Sequence, residues 1–426
     1  MRERPRPEPP SPPPFCFCFK RRSKRCVALG VAATLAAAGT LRWTMSSSNR
    51  HQPSQPSGAG GATTKASPGV TSLGPPPGKQ ENGGPQAGAE SLPRCFSSPE
   101  ADPSDGAWRK TDNGVLDSPA HPAGWQRPTH QFDFLGTCDV AWNGEDHPGP
   151  KVPRPYWEWE PAECSLDAVD EAKFCRVMEG RKGVLLVGDS LTRLMTTTLA
   201  TVLRAEGVYL DTFKDNWTAC GGKLKVRFMR NDFLDARTAP RYKTFLCERG
   251  LGAGAPVENT RCRIFATDEI LGEFDTLVVN SGAHPRGAPE FGRQMDAAAE
   301  ELTDRMNRLH GEGNAVLVVR NTPPGHWGCT ERIFDGPVSE TVAAELVNAA
   351  PDKYQWSTFH DRNGQLEKAF SAEKGWRLLD AYTPTFVRAD SHIGGPDCLH
   401  FCVPGPADHW VTLLYNILLD ATGGTA

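Results

Sequence analysis

Between Gly183 and Leu203 the chain changes its hydrophobic period within a single turn. Val184-Leu185-Leu186-Val187 is a continuous apolar run, the pattern of a strand buried on both faces of a parallel sheet. Leu191, Leu194, Met195, Leu199, Val202 and Leu203 then recur at three- and four-residue steps, which predicts an amphipathic helix with Gly207 at its C-cap. Two further runs, Thr276-Leu277-Val278-Val279 and Ala315-Val316-Leu317-Val318-Val319, read as buried strands. Met295, Ala299, Leu302, Met306 and Leu309 mark one face of a helix between them. Trp376 to Leu379 adds a short strand, and Trp410, Leu413, Leu414, Ile417 and Leu418 stripe a C-terminal helix. Strands alternating with helices predict a three-layer α/β/α fold around a mostly parallel sheet, of the flavodoxin-like or SGNH-hydrolase-like kind. Ligands of such sheets bind beyond the carboxyl ends of the strands, where Ser190, Asn280 and Asn321 fall.

The N-terminal part lacks this patterning. Within the tail 1–25, residues 2–14 are mostly Pro, Arg and Glu, and residues 46–93 are dominated by Ser, Gly, Pro, Gln, Ala and Thr. Such compositions bury too little apolar surface to offset ordering entropy, and both segments are expected to be disordered. Between them, Cys26 to Leu41 is an uncharged run rich in Ala, Leu, Val and Gly that follows the basic cluster Lys20-Arg21-Arg22-Ser23-Lys24-Arg25. Extending it past Arg42 to Met45 brings residues 26–45 to the length of a membrane span. This arrangement predicts a signal-anchor transmembrane helix with a cytosolic N-terminus; a cleaved signal peptide and a plastid transit peptide are the alternatives. Residues 94–426 form the expected luminal catalytic domain.

Charge and cysteine usage bear on compartment and partner. The first 50 residues hold 10 Lys and Arg against 2 Asp and Glu, leaving 37 against 49 of the chain's 47 and 51 for the remainder. An acidic body without a basic stripe argues against nucleic acid as a partner. Ten cysteines follow the apolar segment: Cys95, Cys138, Cys164, Cys175, Cys220, Cys247, Cys262, Cys329, Cys398 and Cys402. In an oxidising lumen an even count allows up to five disulfides, with pairing unreadable from sequence. Asn216-Trp217-Thr218 is a sequon for N-glycosylation.

Two short motifs carry the candidate chemistry. Gly188-Asp189-Ser190 lies at a strand-to-helix turn, where N–H groups and the helix dipole favour an oxyanion; the alternative is that Asp189 or Ser190 simply caps the helix. Asp397 and His400 stand three apart, a spacing that places both side chains on one side of a turn. Ser190, Asp397 and His400 therefore supply nucleophile, orienting carboxylate and base for acyl-group chemistry. Asn280, after a buried strand, is either an oxyanion donor or a turn residue. His284 and His326 are rival bases without a carboxylate at similar spacing. Cys398, His400, Cys402 and His409 suggest a metal site on spacing alone, with disulfides as the favoured reading and no metal expected. Tyr156-Trp157-Glu158-Trp159 is either a sugar-stacking surface or core packing.

The segments Trp157 to Pro161, Phe174 to Arg181 and Val187 to Arg193, with the closing block Asp397 to Trp410, resemble the trichome-birefringence-like family within the wider PC-esterase group. Asn280 to Gly287 and Arg320 to Cys329 resemble its intermediate blocks. The resemblance implies a type II Golgi membrane enzyme that O-acetylates cell-wall polysaccharides, with an acetyl donor such as acetyl-CoA as co-substrate and no bound cofactor. It implies the acyl-accepting role for Ser190 and the supporting roles for Asp397 and His400. A polysaccharide acetylesterase with the same triad and a non-catalytic glycan-binding protein are the alternatives.

Overall fold

The computed structural model describes residues 92–98, 100–111, 157–205, 214–235, 262–285, 288–329, 332, 334–351, 354–394, 397–403 and 405–424, all within one compact unit, Gly83–Ala426. The expected N-terminal tail, membrane helix and nearly all of the stalk lie outside the described residues, as do Tyr156, Cys138 and Cys247. Among the described residues no helix is long and apolar enough to cross a membrane.

The core is a six-stranded sheet. Its members are β3 (Gly183–Gly188), β4 (Lys214–Ala219), β5 (Leu224–Arg230), β6 (Thr276–Val279), β7 (Val316–Arg320) and β8 (Trp376–Leu379), in the order β4-β5-β3-β6-β7-β8. All neighbours are parallel except the edge strand β4, which runs antiparallel to β5. Leu186 on β3 pairs in register with Phe228 on β5 and Val278 on β6. Outside this sheet, β1 (Gly106–Lys110) and β2 (Trp157–Pro161) form one antiparallel pair, and β9 (His392–Gly394) with β10 (Asp397–Phe401) another.

The apolar runs are continuous because both faces of the sheet are covered. Val184 and Leu186 enter one core with α1 (Glu171–Val177), α2 (Ser190–Val202) and α8 (Pro406–Ala421). Leu185 and Val187 enter the other, beneath α4 (Ala288–His310) and α6 (Phe359–Ala369). The same alternation holds on β7, where Val316 and Val318 join the first core and Leu317 and Val319 the second. This two-residue period gives a three-layer, SGNH-like α/β fold. The short helices α3 (Asp268–Gly272), α5 (Glu340–Asn348) and α7 (Tyr382–Thr385) complete the described set.

The hairpin of β4 and β5 extends the strand set read from the apolar runs. Leu224, Val226 and Phe228 alternate with Lys225 and Arg227, so β5 has the half-exposed signature of a strand near the sheet edge. The sequon lies on β4, with Asn216 and Thr218 exposed and Trp217 buried.

Among the described residues, Cys95–Cys164 joins the N-terminal segment to the loop after β2, Cys175–Cys220 joins α1 to the β4–β5 turn, and Cys329–Cys398 ties down β10. Cys262 and Cys402 are disulfide-bonded as well. The Cys329–Cys398 bond joins the loop after β7 to β10, whose residues include Asp397 and His400. Closing a loop of that length restricts the unfolded chain by about 4 kcal/mol. Replacing both Cys329 and Cys398 by Ala should lower the melting temperature. Hydrogen exchange should accelerate at residues 397–403 well before it does in β3 or β6.

Candidate active site

Ser190 is the first residue of α2, directly after β3, and the turn is built around Asp189. The Asp189 carboxylate caps the helix by accepting from Leu191 N (2.9 Å) and Thr192 N (3.3 Å), while its carbonyl accepts from Arg193 N (3.1 Å). The capping reading of the motif therefore holds for Asp189, and it leaves the Ser190 side chain to point elsewhere. Gly188 precedes it for a steric reason. A Cβ there would lie 2.3 Å from Thr192 Oγ1 and 3.0 Å from Asn280 O.

The two motifs meet across the molecule. His400 Nε2 lies 2.7 Å from Ser190 Oγ, and His400 Nδ1 lies 2.8 Å from Asp397 Oδ2. Facing a carboxylate, Nδ1 carries the hydrogen, so Nε2 presents its lone pair to the serine hydroxyl. Asp397 is also locked from behind, its Oδ1 accepting from Leu399 N (3.1 Å) and His400 N (3.0 Å). Burial alone would raise the Asp397 carboxyl. The hydrogen bonds and charge of His400, with the two backbone donors, outweigh it and bring the carboxyl down to about 2. Such an arrangement can activate a hydroxyl as a nucleophile.

A buried cation stands beneath the serine turn. Arg320, at the end of β7, is wholly buried; its guanidinium donates to Thr192 Oγ1 (3.0 Å) and Asn321 O (3.1 Å) and lies 3.8 Å from Asp189 Oδ1. Burial pushes its proton affinity down to about 10, and the Asp189 charge opposes that. Its face also rests on the Trp410 ring, 5.2 Å from the centroid. The sequence reading did not single out this arginine, because a charged residue closing an apolar strand looks like a solvent-facing end.

Asn280 occupies the strand end beside this turn, but it faces inward. Its amide donates to Arg320 O and Thr322 Oγ1, both at 2.9 Å, and its oxygen accepts from Thr192 Oγ1 at 3.4 Å. Both amide hydrogens are thus committed and the residue is fully buried, so the oxyanion expectation for Asn280 gives way to a bracing role between β3, β6 and β7.

The rival readings separate just as clearly. His284 lies 3.4 Å from Asp232 Oδ2, a carboxylate brought from the end of β5 that no sequence spacing could reveal. Asp232 is buried beside Arg230, which donates to it at 2.8 and 3.3 Å. Burial raises the Asp232 carboxyl, against the charges of His284 and Arg230. His326 is buried and its Nδ1 meets His392 Nε2 at 2.7 Å. The four-residue metal set is dispersed: Cys398 and Cys402 are in disulfides, His400 sits between Asp397 and Ser190, and His409 is buried near the Trp108 and Trp159 rings. Trp157 and Trp159 are both half-buried, and Trp159 donates Nε1–H to Pro103 O (2.9 Å) and meets Trp108 edge-on.

No protein-family model matches the chain. It is similar to xyloglucan O-acetyltransferase 1 from Arabidopsis thaliana, 23% identical over 343 residues that cover 68% of this chain and 77% of that protein. It is also similar to xyloglucan O-acetyltransferase 4 from Populus trichocarpa, 22% identical over 303 residues covering 62% and 70% of the two chains. Protein trichome birefringence-like 40 from Arabidopsis thaliana is 25% identical over 322 residues, covering 66% and 80%.

Two outcomes follow from this geometry. Arg320→Leu leaves the Asp189 carboxylate buried without its cation and should destabilise the protein by about 3–5 kcal/mol in denaturant titrations, with Arg320→Lys less damaging. The depressed Asp397 carboxyl stabilises the fold fully above its ordinary value of 3.8 and loses that contribution only as pH falls towards about 2. Unfolding free energies measured between about pH 2 and 5 should therefore fall less steeply with acid in Asp397→Asn than in the parent.

Proposed function

Taking the chain as a distant relative of the trichome birefringence-like proteins, we propose that it is a polysaccharide O-acetyltransferase working through an acyl-serine. The observation that carries this reading is the continuous contact from Asp397 through His400 to Ser190, at 2.8 and 2.7 Å. The names of the relatives supply the reaction class and the polysaccharide acceptor.

The chemistry follows from the hydrogen positions. His400 Nε2 takes the Ser190 proton as Oγ attacks the carbonyl carbon of an activated acetyl donor, a thioester such as acetyl-CoA. Negative charge collects on the carbonyl oxygen. The N–H groups of Leu191, Thr192 and Arg193 are engaged by Asp189, so the Ser190 N–H at the helix start is the first-turn donor for that oxyanion. His400 returns its proton to the leaving group, and the acetyl group remains on Ser190. A sugar hydroxyl then attacks the acyl-serine, giving its proton to His400, and collapse of the tetrahedral intermediate releases the acetylated sugar as His400 returns that proton to Ser190 Oγ. Asp397 holds the imidazole tautomer throughout and stabilises the transient imidazolium.

This reading places the protein in the Golgi lumen, anchored by residues 26–45. The disulfides at Cys95–Cys164, Cys175–Cys220 and Cys329–Cys398 support an oxidising compartment.

The test is mass spectrometry of the purified full-length chain with acetyl-CoA and a panel of wall oligosaccharides, scoring acetylated sugar and free acetate separately. The parent should form acetylated sugar, and Ser190→Ala and His400→Ala should each lower that rate by about a thousandfold or more. Serine-dependent acetate without acetylated sugar would instead identify an esterase. Oligosaccharide binding with no turnover would identify a glycan-binding protein.

A further inference from the structure

Behind the strand that carries Asp397 and His400 lies a second histidine pair that the transfer chemistry does not use. His326, on the loop after β7, and His392, which opens β9, are both buried, with His326 Nδ1 2.7 Å from His392 Nε2. The outer nitrogen of each ring faces a main-chain carbonyl. His326 Nε2 is 2.8 Å from Phe386 O, and His392 Nδ1 is 3.0 Å from His400 O. A carbonyl oxygen can only accept, so the hydrogen bonds require a hydrogen on each outer nitrogen. A neutral imidazole carries one hydrogen. Two neutral rings so arranged would direct lone pairs at each other across 2.7 Å. The three contacts together therefore need three hydrogens on two rings, one more than a neutral pair holds.

We propose that His326 and His392 share one additional proton as a buried imidazole–imidazolium pair, and that this pair positions the main chain of His400. The extra proton is covalently held by one inner nitrogen and accepted by the other. Loss of that proton breaks either the contact between the rings or one of the carbonyl bonds, and one of those carbonyls belongs to His400. The surrounding backbone makes the pair a brace for β10: His326 N donates to Cys398 O (2.9 Å), and Cys402 N donates to Ser391 O (2.8 Å). Phe401 stacks on the His392 ring, with centroids 4.3 Å apart.

Several charged groups act on the pair. Asp390 favours the proton on His326, although its carboxylate is also held by Arg388 at 2.8 and 3.0 Å. Asp397 favours a proton on His392, whereas a charged His400 opposes it. Burial works against the charge, pushing His326 down to about 4 and His392 well below the usual value. Deprotonation is resisted by the lone-pair contact it would create. The sign is fixed: the brace is complete in the acid form and is released as a single proton leaves on raising the pH, the two rings titrating as a unit.

The proton count stands on geometry alone, while its consequence for acetyl transfer rests on the proposed function. Long-range nitrogen–proton NMR of the full-length chain, labelled with ¹⁵N-histidine, should be followed from about pH 4 to 8, the span in which histidines titrate. The signals of His326 and His392 should move together in one single-proton step, with three ring hydrogens in the acid form and one of them far downfield. The His400 Nδ1–H signal should shift in step, which reads positioning without any turnover. Two ring hydrogens throughout, or two separate steps, would overturn the shared proton. A His400 signal indifferent to the pair would overturn the positioning role.

Kinetics add an independent check. His326→Asn offers a permanent amide donor near the original Nδ1, so its contact with His392 needs no extra proton; His326→Leu offers none. His326→Leu should lower kcat by about 10- to 100-fold with little change in KM. His326→Asn should restore most of that loss and remove the alkaline fall in kcat that release of the pair's proton causes. Equal losses in both variants with an unaltered pH profile would mean that His326 merely packs. If the parent transfers no acetyl group while the NMR count holds, the proposed function fails and the histidine pair stands.

Discussion

A single hydrogen bond, from Ser190 Oγ to His400 Nε2 at 2.7 Å, joins residues 210 positions apart, and most of the structure bears on it. The serine end is set by secondary structure: β3 stops at Gly188, Asp189 caps α2, and the Ser190 hydroxyl emerges at the helix start. The histidine end has no such scaffold. Strand β10 belongs to a two-stranded, irregular ribbon outside the main sheet, and it needs to be held from several sides. The Cys329–Cys398 bond, the donation from His326 N to Cys398 O and the His392 contact with His400 O provide that restraint. In acyl-transfer sites a displacement of about 1 Å at such a contact is enough to lose much of the rate, and on the proposed reading that is why so many bonds converge on the five residues of β10.

Polar burial is the second theme of the site. Asp189, Arg320, Asn280, Thr192 and Thr322 are all buried beneath the serine turn, where each polar group left without a partner is costly. Their hydrogen bonds link the ends of β3, β6 and β7 and fix the turn's height above the sheet. Asn280 and Arg320 thus work at one remove from the chemistry, and their value lies in rigidity. Asp397 is only half-buried, and donors on the same strand that it orients hold its carboxyl well below the usual range.

The relation to the xyloglucan O-acetyltransferases is distant in sequence, at 22–23% identity for the two considered, and geometry carries the rest of the functional argument. A serine, histidine and aspartate in hydrogen-bonded order define a capability for acyl transfer on any fold. Transfer and hydrolysis differ in which hydroxyl reaches the acyl-serine, a matter of how the acceptor is held and water excluded.

The sequence by itself determined the layered fold and the two short motifs, ending in Ser190 and His400, that the structure brings into contact. Continuous apolar runs cannot be covered except by helices on both faces, and the switch of period at Gly188 leaves Ser190 nowhere but a strand-to-helix turn. The Asp-x-x-His spacing is local, so its internal hydrogen bond was legible as well. What the tertiary structure decided was every contact between distant segments. The Asp232 carboxylate just past β5 that meets His284, the inward turn of Asn280, the Arg320 beneath Asp189, the cysteine pairings and the meeting of His326 with His392 all depend on which chain ends the sheet order brings together. No periodicity encodes those meetings, because they arise from packing between elements whose separation along the chain carries no information about their distance in space.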